Sequence, residues 1–64
     1  MLLGQKVRSE REKKGISQEK FGELAKVHRT YVGMIERGEK NITLQNMAKF
    51  AKALNLNVRD LIDF

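Results

Sequence analysis

Four residues in the run HRTYVGMIERGEKN, positions 28–41, carry the first clue to what this chain does. Arg29, Thr30, Gly33 and Arg37 are polar or small, and at ~100° per residue they keep to one flank of a helix. Solvent alone accounts for a polar flank. In so short a chain, which can hardly spare the burial, the same flank also suits a surface that reads a partner. The chemistry available elsewhere is narrow. With 0 cysteines, neither a disulfide nor a thiolate metal site can form, which fits a reducing cytoplasm. The single histidine, His28, cannot build a zinc site alone. No nucleophile with a base and no pair of carboxylates suggests catalysis, so no enzyme, no metal and no cofactor is expected. Charge points outward instead. Thirteen Lys+Arg against eight Asp+Glu leave +5, a balance that suits a polyanionic partner.

The elements that must hold these residues are helical. Proline is absent, strand-like alternation is absent, and apolar residues recur three and four apart. No run approaches the ~18 consecutive apolar residues of a membrane span. The opening MLLGQKVRSER turns charged too soon for a signal peptide. Sixty-four residues predict one domain over 1–64, burying only about 60% of the surface its unfolded chain exposes. The start methionine and a completed last helix favour a whole protein.

Breaks at Gly15, Lys26–Val27, Gly38–Asn41 and Asn55–Asn57 predict five short helices. The first runs over 2–14, with Leu3, Val7 and Arg11 in one row and Gly15 as a left-handed C-cap. The second opens on Ser17 as N-cap and carries a stripe of Phe21, Leu24 and Ala25. The third covers 28–37, with His28, Val32 and Ile35 inward and Thr30, Gly33, Met34 and Arg37 outward. The fourth follows Thr43 as N-cap, its stripe being Leu44, Met47, Ala48, Ala51 and Leu54, widened by Phe50. The fifth is capped by Asn57, with Asp60 three residues on and Val58, Leu61 and Ile62 apolar. Helices two and three are so close in sequence that they must cross steeply. Gly22 then stands where a side chain on helix two would strike helix three.

The segment QEKFGELAKVHRTYVGMIERG, residues 18–38, resembles the helix-turn-helix of the phage repressor and Cro family. Gln18 stands at its first position, Phe21 and Gly22 at the apolar and small positions, Val27 in the turn, and Val32 and Ile35 at the buried positions of the reading helix. SEREKKGISQE before it and NITLQNMAKFAKALNLNVRDLI after it extend the resemblance over nearly the whole chain. The Arg-Thr-Tyr run is most similar to the controller proteins of restriction–modification systems. The resemblance implies an all-α, five-helix compact domain of the lambda-repressor-like DNA-binding type, with the helix-turn-helix formed by helices two and three. One departure stands out. Lys26 occupies the turn position that the family often gives to glycine, where a left-handed backbone costs a lysine about 1 kcal/mol.

What the resemblance implies for the site is specific. The N-terminal end of the third helix would meet base edges in the major groove. Arg29 would donate twice to guanine O6 and N7, for about 1–3 kcal/mol of discrimination, and Thr30 would serve a base edge or a second cap. Gly33 would permit close approach, and Met34 would lie against thymine methyls. Gln18, Lys26, Tyr31, Arg37, Lys40 and Asn41 would take phosphates. His28 reads as a turn or packing residue. Arg11 and Glu36 would pair with each other, fixing the reading helix to the scaffold rather than touching DNA. Leu56, Leu61, Ile62 and Phe64, in the apolar end LNLNVRDLIDF, would form a homodimer interface, with core packing the competing assignment for each.

The expected function is therefore a sequence-specific regulator of transcription. It would bind double-stranded DNA as a homodimer on a two-fold-symmetric operator, in the cytoplasm and at the nucleoid, with RNA polymerase as a candidate partner. The alternative is the DNA-binding antitoxin of a toxin–antitoxin pair, whose further partner is the toxin.

Overall fold

The structure is a computed structural model that describes residues 2–62. Five helices make up its regular structure: α1 (Leu2–Lys13), α2 (Gln18–Ala25), α3 (Arg29–Glu36), α4 (Leu44–Ala53) and α5 (Val58–Ile62). No strand occurs among the described residues. Local chemistry sets the boundaries. Gly15 takes φ 67, closing α1 in the left-handed region that glycine enters freely. Ser17 caps α2, its hydroxyl accepting from the Lys20 N–H at 3.0 Å, and Thr43 caps α4 by accepting from Asn46 N–H at 3.1 Å. At α5 the bond runs the other way: the Asp60 carboxylate accepts from the Asn57 N–H at 2.9 Å. Lys26 does adopt the left-handed conformation, at φ 61 and ψ 42, so the strain expected of a lysine in this turn is present.

The core is small and aromatic at its centre. Val7, Phe21, Ala25, Val32, Ile35, Phe50, Ala51, Leu54 and Leu61 are buried, with contributions from every helix. Phe21 meets Phe50 edge-on at 4.9 Å between ring centroids, and Tyr31 meets the same ring at 6.0 Å. Edge-to-face pairs of this kind add about 0.5–1.5 kcal/mol beyond the area they bury. Five residues expected on inward or apolar faces are exposed instead. Leu24 is 48%, Leu44 73% and Ile62 51% exposed, and Ala48 and His28 also face solvent. Phe50 takes the central place on α4, because its ring reaches Phe21 and Tyr31 from the edge of the stripe.

Two glycines set how closely the helices approach. A Cβ on Gly22 would stand 2.7 Å from the Val27 carbonyl oxygen and 3.2 Å from the Arg29 nitrogen. The reading of Gly22 as a crossing point is therefore met. Gly4 is tighter still. Its Cβ would overlap the Ile35 carbonyl oxygen and lie 2.8 Å from that of Glu36. The N-terminal turn of α1 thus rests on the last carbonyls of α3.

Candidate nucleic-acid interface

The site begins at a buried ion pair. Arg11 donates through Nε to Glu36 Oε2 at 2.7 Å and through Nη2 to Oε1 at 3.1 Å. A third donor, Nη1, reaches the Ile16 carbonyl at 2.8 Å. The two side chains are 10% and 3% exposed, so neither charge is left to water. The carboxylate hydrogen-bonded to it raises the Arg11 pKa further above its ordinary value. Glu36 Oε1 also accepts from Gln18 Nε2 at 3.1 Å. One carboxylate near the end of α3 therefore ties together α1, the first residue of α2 and α3 itself. Fork-to-fork geometry makes this a directional clamp rather than a loose attraction.

That clamp fixes what α3 shows to solvent. Arg29 and Thr30 occupy its first two positions and are exposed. His28 is the N-cap: its Nδ1 accepts from the Thr30 N–H at 3.0 Å, so the helix begins one residue later than its spacing suggested. An N-cap is a turn role. Histidine is an uncommon choice for one, since Ser, Thr, Asp and Asn lead at that position. Met34 is half-buried on the same outer flank.

Several residues are engaged in ways the sequence did not reveal. Gly33 is buried rather than open. A Cβ there would lie 3.0 Å from Arg37 Nη1 and 3.5 Å from Gln18 Oε1, so those two side chains occupy the space expected to admit DNA. Arg37 forks onto Glu39, Nε to Oε2 at 2.8 Å and Nη2 to Oε1 at 3.1 Å. This hydrogen-bonded guanidinium holds the Glu39 carboxyl below its ordinary range. Arg29 Nη1 lies 3.4 Å from Glu19 Oε2. The Tyr31 hydroxyl accepts from Asn46 Nδ2 at 3.0 Å while its ring packs on Phe50. Lys26, Lys40 and Asn41 are exposed. Lys40 and Asn41 line a hollow with Leu3, Gly4 and Ile35, whereas Lys26 lies at the elbow between α2 and α3. The residues expected to take phosphates are thus spread over separate hollows rather than gathered in one patch.

The apolar end needs correction. Leu61 is fully buried in the core of its own chain, so it is not available to a second copy. Leu56 is partly buried and packs against the same core. Ile62 is 51% exposed. Phe64 lies outside the described residues. Among the described residues no group of three or more His, Cys, Asp or Glu could hold a metal ion, and no helix is long and apolar enough to cross a membrane.

Comparison with known proteins places this geometry. A helix-turn-helix family model matches residues 7–61. Control protein C.BamHI of Bacillus amyloliquefaciens is 48% identical over 65 residues, spanning 100% of this chain and 80% of that one. The crystal structure of the restriction-modification controller protein C.AhdI from Aeromonas hydrophila superposes with a TM-score of 0.90 at 44% identity, covering 92% and 89% of the two chains. The P22 c2 repressor, solved in complex with a synthetic operator, superposes with a TM-score of 0.88 at 28% identity over 95% and 92%.

Proposed function

Because the chain belongs to the helix-turn-helix family of DNA-binding transcriptional regulators, we propose that it binds a two-fold-symmetric operator as a homodimer, reading the major groove with the N-terminal half of α3. The observation that carries this is the clamp of Arg11 and Gln18 on Glu36, which sets the tilt of α3 and leaves Arg29 and Thr30 exposed at its leading end. A fixed tilt is what a reading helix needs, because hydrogen bonds to base edges tolerate only small errors of distance and angle.

Roles then divide by chemistry. Arg29 forks onto guanine O6 and N7, Thr30 bonds a base edge, and Met34 lies against thymine methyls. Gln18, at the N-terminus of α2, keeps its amide nitrogen engaged on Glu36 and offers an anion the main-chain N–H groups behind it. Gly33 serves indirectly: lacking a side chain, it lets Arg37 cross α3 toward the rim. Arg37, Lys26, Lys40 and Asn41 take phosphates, and the Tyr31 hydroxyl does so while held by Asn46. A single module covers only about 600–1,000 Å², so tight and selective binding calls for two, reading half-sites about 34 Å apart. Ile62 and the exposed edge of Leu56 supply the contact between copies. Selection of bound duplexes from a random pool tests this. A symmetric consensus whose guanine preference disappears in Arg29→Ala is expected, and a pool that never enriches would refute it.

A further inference from the structure

The geometry points to Glu19 as a positioning residue for Arg29, one that gives up general affinity for duplex DNA to gain selectivity for guanine. The inference rests on the reading of α3 as the DNA-reading helix. Glu19 and Gly22 lie three apart on α2 and share a face. Because Gly22 has no side chain, the backbone of Arg29 comes down on that face: its nitrogen is 3.2 Å and its Cα 3.4 Å from where a Gly22 Cβ would stand. The Arg29 side chain starts directly above Gly22 and finds Glu19 one turn back along α2, with Nη1 3.4 Å from Oε2. The hollow they bridge is lined further by Gly22, Glu23, Lys26, Val27 and His28.

In water this pair contributes little, since its side chains are 63% and 66% exposed. Its position is what matters. Glu19 is adjacent in sequence to Gln18, on the flank meant to face a polyanion, where a carboxylate repels every duplex equally. The compensating gain lies in donor arithmetic. A guanidinium has five N–H donors, and guanine O6 and N7 take two. That leaves an Nη1 hydrogen for the carboxylate. Once the duplex displaces water, the ion pair strengthens in the lower dielectric and holds Arg29 in the conformation that meets guanine. Opposite any other base the pair persists but the guanine bonds are missing. Arg29 is then held back from the neighbouring phosphates, which weakens non-specific binding. Glu19 thus acts against the wrong sequence as well as for the right one.

The test compares wild type, E19Q, E19D and Arg29→Ala on three duplexes: the selected site, that site with the Arg29-dependent guanine replaced, and an unrelated sequence. Melting followed by circular dichroism verifies that each variant is folded. Replacing the guanine should weaken wild type by about tenfold or more. In E19Q that penalty should fall severalfold, while the unrelated duplex binds several times tighter and with a steeper salt dependence. E19D keeps the charge but is one methylene shorter, so it should lose guanine selectivity without gaining on the unrelated duplex. Adding E19Q to Arg29→Ala should leave guanine selectivity unchanged. A folded E19Q with the full wild-type guanine penalty overturns the role of Glu19 and leaves DNA reading by α3 intact. Wild type showing no preference for any duplex overturns both.

Discussion

The two ends of α3 are built on opposite plans. At its C-terminal end Glu36 takes two bonds from Arg11 and one from Gln18, and the carbonyls of Ile35 and Glu36 rest against Gly4. At its N-terminal end Arg29 and Thr30 are exposed, and Arg29 has one 3.4 Å contact to a carboxylate that is itself exposed. A buried, multiply bonded charge is costly to disturb, whereas an exposed pair rearranges at small cost. The difference teaches how a helix of eight residues can be both stiff and adaptable. Its anchored end fixes the angle, and its open end keeps its side-chain freedom.

Breaking the anchored end should have the largest consequence. Glu36→Ala leaves Arg11 buried without its partner and should destabilise the fold by about 3–5 kcal/mol, read from the urea midpoint. An unchanged midpoint would remove the clamp from the account. Gly22→Ala drives a methyl group against the Val27 carbonyl. It should cost about 1–3 kcal/mol even though alanine is the better helix former. Equal or greater stability in that variant would mean that α2 and α3 do not need this closeness. At the open end the effects should move from stability to selectivity. Arg29→Ala should change stability by no more than about 0.5 kcal/mol yet remove about 1–3 kcal/mol of guanine discrimination in competition binding. His28→Ala deletes the N-cap at that same open end and should cost about 1 kcal/mol. Smallest in reach is Lys40→Ala. It should weaken all duplexes alike and lower the salt slope by about 1, and a sequence-dependent loss would move Lys40 from phosphate to base.

The anchored end was legible in the sequence, because burial leaves a strong trace. Val32 and Ile35 repeat at helical spacing, and Arg11 continues an inward row where a charge requires a partner, which the family pattern identified as Glu36. Caps at Ser17 and Thr43 and the left-handed Gly15 follow from local rules that tertiary context rarely overrides. Lys26 was legible only through the family pattern, since nothing in a lysine announces a positive φ. The open end was less readable. Glu19 and Glu39 are ordinary surface residues by type, and only the crossing at Gly22 and the turn after α3 bring them to Arg29 and Arg37. Gly4 left no trace either, because its contact is with the backbone of Ile35 and Glu36, far along the chain. Leu61 was misplaced in an interface because α5 is too short to show which of its apolar residues turns inward. The fold settles this by burying Leu61 and exposing Ile62.

The central claim is that α3 approaches duplex DNA with its open end first and its anchored end fixed. Backbone amide shifts recorded while the selected duplex is titrated into labelled protein test it most directly. Saturable changes concentrated at Gln18 and across His28–Met34, with Leu54–Ile62 perturbed only at the contact between copies, are the predicted result. Changes centred on α4 and α5, with the amides of α3 unmoved at saturation, would contradict it.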